Sequence, residues 1–270
     1  MRILFFGDVV GKAGRAGLRT TLPELREEFK SDLIVANAEN VAHGVGITLK
    51  TANELFASGV DFLTSGNHVF DRKEQTAEVF EVLSGRLIRP ANFPDSYPGK
   101  GWEQISVQGK KLLMVNLNAQ VFMEKQFSGE IRSPFITLDR ILQTAPKSDI
   151  IIVDFHSEAT SEKRGFGFYA DGKVAAVVGT HTHVQTADAQ VLPQGTAYIS
   201  DVGMCGARQS VLGVKTESAL NRFLTGERTA LEVEEAGEIE VGAVLIEIDH
   251  ASGKAKHIQS FLRVFPAPVL

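Results

Sequence analysis

Seven side chains of this 270-residue chain have the types and spacing of a metal centre: Asp8, Glu39, Asn40, Asn67, His156, His181 and His183. Their donors are carboxylate and amide oxygens and imidazole nitrogens, with no sulfur. Such a set suits iron, manganese or zinc better than an all-oxygen calcium cage. If Glu39 bridges two ions, the seven residues form eight bonds, four to each ion, and a shared water raises each to five. Two divalent ions about 3.5–4 Å apart can clamp the attacking and leaving oxygens of an in-line displacement. They also lower the pKa of the water between them, which supplies a nucleophile near neutral pH. Two such ions against two carboxylates leave a positive pocket, and a positive pocket favours phosphate. His68 directly follows a candidate ligand. It can protonate a leaving oxygen or steady the transferring phosphoryl group, or simply hydrogen-bond a neighbouring carboxylate.

Taken singly, each residue has a bland alternative. Asp8 can cap the helix that follows it, Glu39-Asn40 can be turn residues, and Gly66-Asn67 is ordinary turn chemistry. A lone His156 can be a hydrogen-bonded core histidine. His181 and His183 are harder to dismiss, because alternate residues of an extended segment point the same way. Position decides the matter. The residues follow five apolar runs: Phe6-Gly7-Asp8, Ala38-Glu39-Asn40, Ser65-Gly66-Asn67-His68, Asp154-Phe155-His156 and Gly179-Thr180-His181-Thr182-His183. In open α/β sheets ligands bind at the carboxyl ends of strands, which predicts one shared rim.

The elements that must position these residues alternate along the first two-thirds of the chain. Strands are predicted at Arg2–Phe6, Asp32–Ala36, Val60–Thr64 and Leu87–Pro90, and helices at Ala16–Phe29, Leu49–Ala57 and Glu74–Leu83. This rhythm implies an α/β fold with a largely parallel sheet covered by helices. From Trp102 the rhythm changes. Gln104–Val107 and Lys111–Asn116 read as a hairpin turning at Gln108-Gly109. A helix at Phe135–Gln143 follows, then strands at Asp149–Asp154, Val174–Val178, Thr196–Ile199 and Ala243–Ile248. Glu232–Glu240 reads as a solvated strand or loop. No repeat or flexible linker interrupts the chain, so one mixed domain over residues 1–270 is expected.

Composition narrows the setting. The formal charge of −5 provides no global field for long nucleic acid, although a small phosphate-bearing substrate remains compatible. The single cysteine, Cys205, excludes an internal disulfide and fits a reducing compartment. The N-terminal apolar run stops at four residues, short of a secretory or membrane segment. A soluble cytoplasmic protein without membrane contact is expected, and a homo-oligomer is left open.

Gly7-Asp8, Gly66-Asn67-His68 and Gly179-Thr180-His181-Thr182-His183, in this order, resemble the calcineurin-like metallophosphoesterases. The chain is similar in particular to the YmdB-type branch, described as 2′,3′-cyclic nucleotide phosphodiesterases. Gly7-Asp8-Val9-Val10-Gly11, Asn37-Ala38-Glu39-Asn40 and the stretches 179–188 and 195–203 carry this likeness, which spans nearly the whole chain. The resemblance implies a central β-sandwich of two sheets flanked by helices. It implies one metal at Asp8, Glu39, Asn40 and His183, a second at Glu39, Asn67, His156 and His181, and His68 as proton donor. Two departures from the wider superfamily stand out. Asp8-Val9-Val10 lacks the histidine of the usual Asp-x-His opening, a vacancy Asn40 fills, and Glu39 replaces the usual bridging aspartate.

Other signals carry less. Gly7, Gly11, Gly14 and Gly17 match neither a P-loop nor Gly-x-Gly-x-x-Gly. Cys205 reads as a small packed residue, His43 as either a substrate contact or a plain loop residue, and His250 and His257 as surface. The expected activity is hydrolysis of phosphodiesters, 2′,3′-cyclic nucleotides or short RNA ends, with two divalent ions. Iron or manganese leads, with zinc or magnesium as alternatives. The competing expectation is a metal-containing regulatory protein that senses a ligand with weak or no hydrolysis.

Overall fold

In the computed structural model, residues 1–123, 131–227 and 230–267 are described. The chain opens β1 (Arg2–Val9), α1 (Gly11–Phe29), β2 (Leu33–Asn37), α2 (Leu49–Ala57) and β3 (Phe62–Thr64). A short 3₁₀ turn (Asn67–Phe70) leads to α3 (Lys73–Val82), then β4 (Trp102–Val107), β5 (Lys110–Asn118) and α4 (Pro134–Thr144). Next come β6 (Ile150–His156), α5 (Thr160–Ala170), β7 (Ala176–Thr180), β8 (Gln190–Val191) and β9 (Ala197–Ile199). The last elements are β10 (Met204–Ala207), α6 (Thr216–Thr225), β11 (Ile239–Ile248) and β12 (Ala255–Phe265).

These strands form two mixed six-stranded sheets, ordered β12-β11-β10-β1-β2-β3 and β4-β5-β6-β7-β9-β8. Residue parity explains how they stack. Ile3, Phe5, Leu33 and Val35 join Leu112, Met114, Ile150 and Ile152 in a core between the sheets. Leu4, Phe6, Ile34 and Ala36 point the other way, onto residues of α1 and α2. On the far side Val115, Val153 and Val177 pack against Leu138 and Phe166, from α4 and α5. The sandwich flanked by helices that the resemblance implied is therefore the observed architecture.

The single, largely parallel sheet read from the βα rhythm is corrected by this arrangement. Periodicity identifies runs that are buried on both faces, but not which strands pair. Here β11 pairs antiparallel with β1, β10 and β12, and β4 begins a second sheet. The predicted strand at Leu87–Pro90 forms only a bridge from Leu87 to Leu63. Helix α1 begins at Gly11 rather than Ala16. The hairpin at Gln108-Gly109 holds: β4 and β5 pair antiparallel, and both turn residues have positive φ (49° and 76°).

Close backbone approach at the end of β1 prepares the site. The β1–β2 register breaks between Phe6 and Asp8, which brings Asp8 opposite Asn37. A Cβ at Gly7 would lie 1.9 Å from the Gly203 carbonyl oxygen, so only glycine passes there. Among the described residues, no helix is long and apolar enough to cross a membrane.

Candidate active site

The eight residues singled out by sequence converge at the carboxyl ends of β1, β2, β3, β6 and β7, across both sheets. Glu39, Asn40, His68, His181 and His183 line a pocket of about 380 Å³. Asp8, Asn67 and His156 lie beneath it, buried. Several bland readings fall away here. Val10, not Asp8, is the N-cap of α1 and makes no side-chain cap. Gly66 is present because a Cβ would fall 2.4 Å from the His156 ring and 2.5 Å from Glu39 Oε2.

Distances define the cluster. His156 Nε2 lies 3.0 Å from Glu39 Oε1, 2.8 Å from Asn67 Oδ1 and 3.0 Å from His181 Nδ1. Three electronegative atoms crowd one ring nitrogen, more than its single hydrogen can satisfy. On the other side, Asn40 Nδ2 is 3.3 Å from Glu39 Oε1 and 3.2 Å from His183 Nε2. Asp8 Oδ2 accepts from the His181 backbone N–H at 3.0 Å. Its Oδ1 is buried without a hydrogen-bond partner, 3.8 Å from His183 Nε2. Glu39, His156 and His181 have ligand atoms close enough to hold one metal ion.

Outer contacts set which nitrogen each imidazole presents. Thr180 Oγ1 donates its one hydrogen to Asp154 Oδ1 at 2.6 Å, so it accepts from His156 Nδ1 at 2.9 Å. Nε2 of His156 therefore faces the cluster, and a cation that displaces its proton would meet the lone pair there. His181 Nε2 meets Glu158 Oε2 at 3.1 Å, leaving Nδ1 inward. His183 Nδ1 donates to the Leu212 carbonyl at 3.0 Å, leaving Nε2 inward. An outer partner for each ring is the pattern of metal-binding histidines.

Burial and neighbouring charges shape the electrostatics. Burial raises the Asp8 carboxyl above its ordinary value despite nearby His183 and His156. Burial would also raise Glu39, but the imidazoles, His156 foremost, hold it down at about 2. Burial disfavours charge on His156, yet Glu39 outweighs it and lifts the ring to about 9. His181 is pushed down to about 2 by burial and then by His156. A field that favours positive charge at His156 also attracts a divalent cation. At the rim, the His68 N–H donates to Glu39 Oε2 at 2.8 Å, and its Nδ1 lies 2.8 Å from Asp71 Oδ2.

The His181–His183 segment departs from expectation. It is not extended strand: β7 ends at Thr180, and His181 and His183 have φ of 104° and 65°. Both rings still reach the pocket because a buried ion pair props up the turn. Lys163 Nζ donates to the Thr180 carbonyl at 2.8 Å and to Asp201 Oδ2 at 2.6 Å, and that oxygen accepts from Thr182 N–H at 3.0 Å. Sequence reading missed Lys163 and Asp201, as it missed Asp71, Asp154, Glu158 and Thr180. Proximity to a ligand in sequence was the only available signal, and it covers Asp71, Asp154, Glu158 and Thr180.

The remaining candidates lie elsewhere. Cys205 is buried with its thiol pushed well up by burial, which removes it as a nucleophile. His43 is exposed and lines a neighbouring cavity, while His250 and His257 are at the surface.

Comparison with known proteins agrees with this geometry. The YmdB-like protein family model matches residues 4–261. The chain is 43% identical over 265 residues to a Bacillus subtilis (strain 168) protein named 2′,3′-cyclic-nucleotide 2′-phosphodiesterase, covering 97% of each. A crystal structure of a hypothetical protein from Thermus thermophilus superposes with a TM-score of 0.91 at 38% identity, over 98% of this chain and 100% of that one. Another, of a novel phosphatase from Mycoplasma pneumoniae, gives 0.91 at 35% identity, over 99% and 95%. The match in family, sequence and fold runs nearly end to end, and this chain belongs to the YmdB-like protein family.

Proposed function

We propose that this chain is a dinuclear-metal phosphoesterase that hydrolyses phosphodiesters, with 2′,3′-cyclic nucleotides as its substrate class. The observation that carries the reading is the orientation of His156, His181 and His183. Each is held at its outer nitrogen and turns the other toward buried Glu39 or Asp8. In this reading Asp8, Glu39, Asn40 and His183 hold one ion, and Glu39, Asn67, His156 and His181 hold the other. The unpartnered Asp8 Oδ1 and the crowding at His156 Nε2 fit two cations. A half-turn of the Asn40 amide presents its oxygen where Nδ2 now stands. Iron or manganese leads, with zinc or magnesium as alternatives.

When bound, such ions polarise the phosphate and make water acidic enough to attack near neutral pH. The chain's own residues supply the rest. His68 stands on the pocket wall with Nδ1 held by Asp71, which leaves Nε2 to protonate the leaving oxygen. Thr180 and Asp154 hold the His156 ring, and Lys163 and Asp201 hold the turn bearing His181 and His183.

A phosphodiester carries one negative charge, which a doubly cationic pocket can stabilise during in-line attack. In a 2′,3′-cyclic phosphate the strained ring opens readily and the leaving hydroxyl stays tethered. The name of the Bacillus subtilis relative supports the same class. The test is metal analysis followed by a panel of cyclic nucleotides, linear diesters and monoesters. Higher kcat/KM for 2′,3′-cyclic nucleotides than for nucleoside monophosphates is expected. Equal or better turnover of monoesters overturns the substrate class. Tight nucleotide binding without turnover, with both metals present, makes the protein a ligand sensor instead.

A further inference from the structure

A second cavity of about 590 Å³ lies beside the candidate active site, between α1, α2 and the loop after Asn40. Its walls carry Lys12, Arg15, Arg19, Lys50 and Arg72 against one carboxylate, Glu54. The chain as a whole has more acids than bases, 33 against 28, so this concentration of cations is local.

The five cations fall into two groups. Arg15 pairs with Glu54 at 2.6 Å and donates to the Val41 carbonyl. Arg72 donates to the Ala42 and Val45 carbonyls at 2.6 and 3.1 Å. These two arginines brace a loop in which His43, Gly44 and Gly46 have φ of 59°, 83° and 76°. Lys12, Arg19 and Lys50 make no ion pair or side-chain hydrogen bond among the described residues. Lys12, Arg15 and Arg19 are spaced i, i+3 and i+7, so like charges share one stripe of α1, a destabilising arrangement. Lys12 also stands in the first turn of α1, which has no acidic residue, at the positive end of the helix. A bound anion relieves both penalties.

Position indicates which anion. Val10 and Gly44 line the active-site pocket, while Lys12 and His43, close in the chain, line the basic cavity. The Gly11 N–H donates to the Asn40 carbonyl at 2.9 Å, so these two backbone segments form a shared partition. We infer that the basic cavity is a second phosphate subsite, which takes the upstream phosphodiester of an oligoribonucleotide whose terminal cyclic phosphate occupies the active site. The inference rests on the phosphodiesterase reading. It makes short RNA ends better substrates than mononucleotides, without an extended groove.

The test compares mono-, di- and trinucleotides ending in 2′,3′-cyclic phosphate, using the metal-loaded protein and a Lys12→Gln, Arg19→Gln, Lys50→Gln triple variant. At low salt kcat/KM should rise about tenfold from mono- to trinucleotide in the wild type. In the variant the rise should vanish while mononucleotide turnover is unchanged. Binding of a labelled trinucleotide 3′-phosphate, followed by anisotropy, should show a salt slope shallower by about 0.7 in the variant, the share of one phosphate on a single strand. No length dependence in the wild type, or the same dependence in the variant, overturns the inference. So does a change in mononucleotide turnover on adding free phosphate or a 5′-nucleotide, if the variant abolishes it, because the cavity then serves a separate ligand. If no cyclic phosphate is hydrolysed, the phosphodiesterase reading fails by itself. The salt slopes then decide the subsite: a difference supports it, and equal slopes remove it.

Discussion

His156 Nδ1 lies 2.9 Å from Thr180 Oγ1, and the threonine's only hydrogen is directed 2.6 Å away to Asp154. The threonine therefore acts as an acceptor for the imidazole and fixes its tautomer. Thr180→Val keeps the shape and removes that acceptor. Metal affinity measured by calorimetry should fall about 10–100-fold, the usual effect of losing an outer partner of a ligand. Unchanged affinity would mean that Thr180 does not set the ring.

Glu39 touches both halves of the cluster, through His156 Nε2 at 3.0 Å and Asn40 Nδ2 at 3.3 Å. Glu39→Gln should reduce the content of both ions together in elemental analysis. Chelation of the wild type should abolish hydrolysis, with manganese or iron restoring it. Full activity in metal-free protein would sink the two-metal mechanism.

His68 is expected to act on the leaving group. His68→Ala should lower kcat by roughly 10²–10⁴-fold while metal content stays intact. The loss should be large for a poor leaving group and small for nitrophenolate. Loss of metal instead would make His68 a ligand or support.

Burial disfavours charge on His68, but its contact with Asp71 and the nearby Glu39 raise its pKa above the ordinary value. Activity that requires the protonated ring is present at low pH and is lost as pH rises through that raised value. Asp71→Asn removes the strongest raising influence, so the alkaline limb of kcat/KM should move to lower pH. An unmoved limb would assign that limb to another group.

Lys163 and Asp201 are buried together, each with only 1% of its side chain exposed, 2.6 Å apart. Lys163→Met leaves the carboxylate uncompensated and should cost roughly 3–5 kcal/mol in urea unfolding. Adding Asp201→Asn should recover part of that loss. No recovery in the double variant would mean that packing around the lysine, rather than its charge, supports the turn.

Much of the site was legible because metal-ligand chemistry resides in residue types and strand ends are marked by where an apolar run stops. Asp8, Glu39, Asn40, Asn67, His68 and His156 could be picked out on that basis, and all lie at the pocket or directly beneath it. The hairpin at Gln108-Gly109 was legible for the same reason, since its turn chemistry is contained in adjacent residues. Family likeness, carried by short motifs, supplied the two-sheet sandwich that periodicity alone had not.

Residue types and their order establish the ligand-type side chains and the apolar runs that end in them. How those runs divide between two sheets, with β10 alongside β1 and β11 arriving from far along the chain, is settled by folding. So is the left-handed His181–His183 turn, which leans on Lys163 and Asp201. The reason is the range of the forces. Apolar periodicity records that a face is buried, not what it is buried against. A ring's tautomer depends on a hydrogen bond to a residue that the fold alone brings near, as Thr180 is brought to His156.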